Sequence, residues 1–403
     1  MKQHTAEEVG ISSLRLARID DTMTKAVAGG RLPGIMTLLQ RRGKVVHLGR
    51  YGWEDIAAQR PMREEALFRI YSMTKPIVSV ALMMLLEEGR LRLQDPVAKY
   101  IPAFAKTRVY AGSGKLGLTL VDQNPPLTVH HLLTHTAGLS YGWFFDHPVD
   151  ALYRDVLPSL FNREQPLAEV VDALAALPLL FQPGTQWRYS HATDVVGHLV
   201  AVIAGMPLDV FLSERIFAPL GMVDTAFTVP PEKLGRLAPI YTSPALYGPL
   251  ASVAADVRLI GDVTQPTSCP SAGAGLVSTL ADYLAFANCL LNGGRYDGGR
   301  LLSRKTLALM TADHIPAALK PLSIGPDPVD YGFGLGFRVA TSLGEARTVT
   351  SVGEFGWAGA ANTYFWVDPA EEFIGLMLTQ HLPTAVYPYR ELFKNLAYQA
   401  IDD

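Results

Sequence analysis

Ser72-Met73-Thr74-Lys75-Pro76-Ile77-Val78-Ser79-Val80-Ala81-Leu82-Met83-Met84-Leu85-Leu86-Glu87-Glu88-Gly89 decides how the rest of the chain is read. Residues 77–86 are apolar nearly all round, and a helix of that kind lies in the centre of a protein. Gly89 is its natural stop. At its start, Ser72 and Lys75 stand three residues apart, a spacing that returns side chains to one helical face. A serine hydroxyl becomes a useful nucleophile when a neighbouring base takes its proton. A lysine in a partly desolvated site is such a base. The helix N-terminus adds N–H groups that favour developing negative charge. Pro76 suits the first turn, where a backbone donor has little use. Taken alone, Ser-x-x-Lys also fits an N-cap serine beside a surface lysine. The apolar helix behind it argues against a surface position.

Before this helix, residues 12–28 carry Leu14, Leu16, Ile19, Met23 and Val27 on roughly one helical face. Residues 35–40 and 45–53 read as strands joined by a turn at Arg42-Gly43-Lys44, and residues 66–70 as a third strand. From Asp95 to Val253, helical segments alternate with Pro- and Gly-rich loops. The helical segments are 130–133, 167–177, 193–204 and 208–216. Beyond them, 279–291, 303–310 and 390–401 read as helices. Residues 331–340, 348–352, 361–367 and 373–379 read as strands with spacings short enough for antiparallel pairing. Strands therefore lie at both ends and helices fill the middle. The expectation is an α+β fold, an antiparallel sheet built from both termini and flanked by helices. Residues 1–94 and 254–403 form that α/β domain, and residues 95–253 an inserted, mostly helical domain.

Two later elements join the nucleophile candidate. Phe181-Gln182-Pro183-Gly184-Thr185-Gln186-Trp187-Arg188-Tyr189-Ser190 is turn-rich and runs into a helix. Such a loop can deliver the Tyr189 phenol beside a lysine, and the two would titrate as a unit. The bland alternative is a packed aromatic whose hydroxyl finds a partner. Trp357-Ala358-Gly359-Ala360 enters the strand expected at 361–367, where glycine permits close approach of a ligand or another backbone. An edge strand there can supply an N–H to an oxyanion; by itself the stretch also reads as a plain buried strand.

In this order the three elements resemble the serine β-lactamase and penicillin-binding-protein superfamily, whose class A members also carry Ser-x-x-Lys. The nearer likeness is to class C β-lactamases and family VIII carboxylesterases. Phe68-Arg69-Ile70-Tyr71-Ser72-Met73-Thr74-Lys75-Pro76, His131-Leu132-Leu133-Thr134-His135-Thr136-Ala137-Gly138-Leu139, Pro219-Leu220-Gly221-Met222 and Gly273-Ala274-Gly275-Leu276 add to it, from about residue 10 to the end. The resemblance implies a serine β-lactamase-like fold. It also implies Ser72 as acylated nucleophile, Lys75 and Tyr189 as shared general base, and the N–H groups of Ser72 and Ala360 as oxyanion hole. Two departures matter. Class C enzymes have Tyr-x-Asn where this chain has Tyr189-Ser190-His191, and Lys-Thr-Gly where it has Trp357-Ala358-Gly359. Losing that lysine removes a charge-assisted contact to a β-lactam carboxylate worth roughly 1.5–3 kcal/mol. That is about ten- to a hundredfold in binding. Family VIII esterases often have Trp-x-Gly there, which suits an uncharged ester. The expectation is therefore a serine carboxylesterase of short-chain esters. Acyl transfer, β-lactam or D-amino-acid peptide hydrolysis and a catalytically silent homologue are the alternatives.

Other stretches of the chain carry weaker signals. Tyr141-Gly142-Trp143-Phe144-Phe145 reads as core packing or as an apolar wall of the acyl pocket, with Trp143 and Phe144 as substrate contacts. His130, His131 and His135 lack the glutamate of H-E-x-x-H, so a structural role is expected and no metal or other cofactor is implied. His191 fits either the cleft or a hydrogen-bonded structural place. No G-x-S-x-G elbow surrounds Ser72, and Gly332-Phe333-Gly334-Leu335-Gly336 lacks the Lys-Ser/Thr of a phosphate-binding loop. The 403 residues, 49% hydrophobic and 18% charged, are globular in composition. A net charge of -3 with scattered cations excludes an electrostatically driven nucleic-acid binder. Cys269 and Cys289 read as reduced thiols. The N-terminus lacks an apolar signal core, and the longest apolar run, 76–86, is too short to span a bilayer. The expected partner is thus a small-molecule ester, with no nucleic acid and no membrane, in the cytoplasm.

Overall fold

The computed structural model describes residues 1–115, 117–160, 165–243, 250–253, 261–324, 327–384 and 386–403. Its centre is an eight-stranded sheet. The strands are β1 (Gly34–Arg41), β2 (Lys44–Asp55), β3 (Arg60–Pro61), β4 (Gly332–Phe333), β5 (Arg338–Val339), β6 (Phe355–Ala358), β7 (Tyr364–Asp368) and β8 (Phe373–Thr379). Their order is β4-β5-β6-β7-β8-β1-β2-β3 and every neighbouring pair is antiparallel. The two ends of the chain meet where β1 pairs with β8, Ile35 opposite Thr379 through Arg41 opposite Phe373. Between β1 and β2, Arg42 and Gly43 both take positive φ, 49° and 75°. That is the backbone twist a tight hairpin between right-twisted strands requires.

Helices cover both faces, which is why β1 and β8 are buried at every residue. The helices of ten or more residues among the described residues are α1 (Ser13–Ala28), α2 (Thr74–Glu87), α3 (Asp150–Leu160), α4 (Leu167–Ala176), α5 (Ala192–Ala204), α6 (Leu280–Leu291) and α7 (Tyr389–Tyr398), of which α1, α6 and α7 contact the sheet directly. Strand alternation sorts the side chains by face. Ile35 and Leu39 of β1, Trp366 of β7 and Phe373 and Met377 of β8 join Leu16, Ile19 and Met23 of α1 and Phe393 and Ala397 of α7. Met36 and Leu38, Phe365 and Val367, and Ile374, Leu376 and Leu378 join α2 and α6 on the other side. Ser12 caps α1, its side chain accepting from the Arg15 N–H. Thr279 does the same for α6, accepting from Asp282. From Thr74 through Leu85 every residue of α2 is buried, with α5 packed along it. The expected α+β architecture, an antiparallel sheet flanked by helices, is the observed one.

Residues 95–253 contribute none of the eight strands. Four of their helical segments fall close to expectation. One, Leu208–Leu212, continues as a π-helical turn, Ser213–Phe217. The helix α3 and the hairpin Val109–Gly114 with Gly117–Val121 were not anticipated. The domain boundary placed at 254 lies outside the described residues. Among the described residues no single helix is long and apolar enough to cross a membrane.

Several strand expectations need correction. Residues 66–70 give only Phe68–Arg69, paired with Val277–Ser278 away from the main sheet. Residues 331–340 are two short strands folded into a hairpin, Gly332 opposite Val339. The turn exists because its glycines sit against other backbone and side chains. A Cβ on Gly334 would lie 2.1 Å from the Met310 oxygen, and one on Gly336, at φ 91°, 2.1 Å from Ser79 Oγ on α2. Residues 348–352 form no strand, and Val349 and Val352 are exposed. The 361–367 strand starts only at Tyr364, because Asn362 turns the chain at φ 63°. Strand β6 lies between β5 and β7, but β5 reaches only Phe355 and Gly356, so Trp357 and Ala358 are paired to β7 alone and leave a local edge facing the site.

Candidate active site

Ser72 does not sit inside the long helix. It occupies a single 3₁₀ turn, Tyr71–Met73, and α2 begins at Thr74. The residue before it, Tyr71, is held at φ 46°. A non-glycine residue in that region costs about 1–3 kcal/mol and persists only where its surroundings enforce it. Here Thr363 Oγ1 donates to the Ile70 oxygen at 3.2 Å and the Ile70 N–H donates to Leu276 at 3.0 Å. The strain accompanies the projection of Ser72 into a cavity of about 560 Å³.

Lys75 lies one turn on and is 1% exposed. Its Nζ donates to Ser72 Oγ at 3.1 Å and to the Gly273 carbonyl at 2.7 Å. It also stands 4.7 Å from the centre of the Tyr189 ring and 5.6 Å from that of Tyr141. Tyr189 arrives on the expected loop, just ahead of α5. Its hydroxyl accepts from Trp357 Nε1 at 3.3 Å. Trp357 is wedged among Tyr189, Tyr331 and Phe333. Ser72, Tyr189, Trp357, Gly359 and Ala360 all line the one cavity.

Gly359 is a position only glycine fits. A Cβ there would lie 2.2 Å from both the Ile70 oxygen and Thr363 Oγ1. Its N–H donates to the Thr363 oxygen at 2.9 Å, closing the turn that carries Ala360 past Ser72's segment. The aromatic loop walls one part of the cavity. Trp143, stacked on Tyr141 at 4.3 Å and 8°, and Phe144 line the cavity, whereas Phe145 is 73% exposed with Arg154 over its ring.

Two groups of residues were not singled out from the sequence. Asp194, three residues after His191 on the same helical turn, takes His191 Nδ1 at 2.8 Å. Its other oxygen accepts from Ser271 Oγ and the Gly273 N–H, both at 2.9 Å. Burial works against its ionisation. The His191 bond and charge, the Gly273 N–H and the nearby Lys75 charge outweigh that and hold its carboxyl below the usual range. Asp194 therefore ties down the N–H of the residue whose carbonyl receives Lys75. The available signal was a polar pair at i, i+3, His191 and Asp194, at the opening of a helix. The second group walls another part of the cavity. Arg338 donates to Glu354 and to the Tyr364 hydroxyl, both at 2.6 Å, and Lys394 pairs with the other Glu354 oxygen. Burial, then the Arg338 charge, push the Lys394 ammonium down to about 8 despite Glu354. These residues are scattered over β5, the loop before β6, β7 and α7, and no local pattern links them.

The three histidines go to separate tasks. His131 Nδ1 accepts from the Thr128 N–H in a capping box. His130 Nε2 meets His314 Nδ1 at 3.1 Å. His135 packs 4.9 Å from the Tyr189 ring, and burial, then Lys75, hold it neutral. Among the described residues no group of three potential ligands converges. Cys269 and Cys289 are buried free thiols.

Known proteins bear directly on this arrangement. The beta-lactamase family profile matches residues 19–399. The chain belongs to the beta-lactamase family. As a hydrolase of that family it is 38% identical over 360 residues to Protein Rv1367c of Mycobacterium tuberculosis, covering 88% of this chain and 87% of that one. It is 33% identical over 385 residues to Esterase EstB of Burkholderia gladioli, covering 93% and 92%. Among solved structures it is similar to EstCE1, described as a hydrolase with promiscuous acyltransferase activity, at TM-score 0.78 and 26% identity over 97% of this chain and 99% of that one.

Proposed function

We propose that the protein is a serine carboxylesterase acting on short-chain, uncharged esters through an acyl-enzyme on Ser72. The observation that carries this is Lys75 Nζ within 3.1 Å of Ser72 Oγ, with the Tyr189 ring against the same ammonium. The site lies between residues 1–94 with 254–403 and the inserted 95–253 segment. An ester carbonyl is polarised by the N–H groups of Ser72 and Ala360. Ser72 Oγ attacks the carbonyl carbon and its proton passes to the Lys75–Tyr189 pair. The tetrahedral oxyanion collapses, breaking the C–O bond to the alcohol, which leaves with that proton. Water then gives a proton to the same pair, attacks the acyl carbon and releases the carboxylic acid and free Ser72.

Substrate class follows from what lines the cavity near Ser72. Trp357 in place of a lysine, with Tyr141, Trp143 and Phe144, offers apolar surface to an acyl or alkoxy group. The likeness to EstB supports ester chemistry. The likeness to EstCE1 supports a second reading, in which an alcohol takes the place of water. Added alcohol then diverts the acyl group into a new ester at the expense of free acid. The direct test is intact mass after mixing with excess p-nitrophenyl butyrate and acid quench. A butyryl adduct on the Ser72 peptide is expected; an adduct elsewhere, or none alongside turnover, contradicts the reading.

A further inference from the structure

A trans peptide is planar and points its C=O and N–H in opposite directions. Whatever holds the Gly359 oxygen therefore also aims the Ala360 N–H. Two donors hold that oxygen. One is local, the Asn362 N–H at 3.1 Å within the turn. The other is Arg390 Nη2, reaching from the first turn of α7. The Ala360 oxygen is held as well, by Thr384 Oγ1, and the Gly359 N–H by Thr363. The peptide has no freedom to rock while these bonds stand.

Arg390 is an unusual group to spend on a backbone carbonyl. It lines the same cavity as Ser72, yet among the described residues no carboxylate forms an ion pair with it. Its Nε makes no hydrogen bond among the described residues. Burial pushes the guanidinium down to about 10, so it is a full cation at neutral pH. Its electrostatic neighbours are the phenols Tyr364, Tyr331 and Tyr189. A cation on a carbonyl draws charge through the amide and makes the N–H across the same bond a stronger donor.

We propose that Arg390 is the positioning residue of the oxyanion site, aiming and polarising the Ala360 N–H through the Gly359 oxygen. This rests on the reading of Ser72 and Ala360 as the oxyanion donors. Arg390 touches no reacting atom in this scheme. Its contribution belongs to the transition state, where charge develops on the carbonyl oxygen, and not to ground-state binding.

Arg390→Met and Arg390→Lys, compared with wild type on p-nitrophenyl butyrate, test it. Removing a whole oxyanion donor costs on the order of 10²–10³ in kcat, so loss of aim and polarisation in Arg390→Met is expected to cost about 10- to 100-fold. KM is expected to change by less than about threefold. Arg390→Lys, which keeps the cation, recovers part of the rate and covers the case in which the methionine variant folds poorly. The acyl-enzyme carbonyl stretch, read by infrared difference spectroscopy, moves to higher frequency in both variants as its hydrogen bond weakens. In Arg390→Lys, which keeps the positive charge beside Tyr189, the pH–rate profile keeps its wild-type midpoints. Wild-type kcat in Arg390→Met, or an unmoved carbonyl stretch, overturns the proposal. A displaced pH profile in Arg390→Lys overturns it too, since Arg390 then acts on Tyr189. Wild-type enzyme without Ser72-dependent ester cleavage overturns the underlying reading itself, which separates the two failures.

Discussion

Lys75 Nζ is shared between Ser72 Oγ at 3.1 Å and the Gly273 carbonyl at 2.7 Å. The carbonyl is a fixed anchor: its own residue's N–H is tied to Asp194. The ammonium is therefore held within reach of the hydroxyl by a group that takes no part in proton transfer. Among the described residues no carboxylate pairs with Lys75, and its companions are aromatic rings and a backbone oxygen.

Replacing Tyr189 by Phe removes the hydroxyl that shares the base task and leaves the ring in place. Loss of a positioned acid–base group is expected to lower kcat by about 10²–10⁴. Trp357→Phe keeps an aromatic wall but removes the indole donor to that hydroxyl, a bond worth about 1 kcal/mol, or about fivefold in kcat. Steady-state rates on one ester check both, and the order of the two effects is the informative result.

Gly359→Ala places a methyl 2.2 Å from the Ile70 oxygen, two residues before the nucleophile. The strand and the Ser72 turn must part. A destabilisation of about 1–3 kcal/mol is expected, together with loss of ester turnover. Urea midpoints and initial rates measure the two effects separately.

Asp194→Ala removes the acceptor of Ser271 Oγ and of the Gly273 N–H. The buried Gly273 N–H is left without its partner, at a cost of about 1–3 kcal/mol. The Gly273 carbonyl loses its anchor, so kcat is expected to fall while KM holds. Retention of wild-type kcat would show that the anchor is dispensable.

Acid stability follows from buried neutral histidines. Burial pushes His47, His130 and His381 from 6.5 down to about 4. Between those values the unfolded chain binds protons that the native protein refuses, so stability rises with pH there. Their contribution is complete above about pH 6.5 and is lost as pH falls toward about 4. Urea midpoints measured at pH 7, 5.5 and 4.5 are expected to fall in that order. His47→Gln, which preserves a hydrogen bond to Thr37, is expected to flatten the slope.

Much of this was legible because its causes are local. The apolar residues of α2 announce a buried helix at any orientation. The Arg42-Gly43 turn between two short apolar stretches announces a hairpin. The hairpin at 331–340 was hidden because Gly332, Gly334 and Gly336 alternate with apolar residues exactly as a strand does; only Met310, Ala312 and Ser79, distant in sequence, make the turn necessary. The same holds at the site. Ser72 and Lys75 advertise themselves by spacing. Asp194, Arg338, Glu354 and Arg390 acquire meaning from partners contributed by other elements, and no period in the sequence brings them together.

The central claim is that Ser72 carries the acyl group of an ester. Initial rates with p-nitrophenyl butyrate and with a chromogenic cephalosporin, for wild type and Ser72→Ala, test it most directly. The account predicts rapid ester cleavage, slow or absent cephalosporin cleavage, and loss of both in a Ser72→Ala variant that retains the wild-type fold by circular dichroism. Ester cleavage that survives in Ser72→Ala, or a cephalosporin rate equal to the ester rate in wild type, would contradict it.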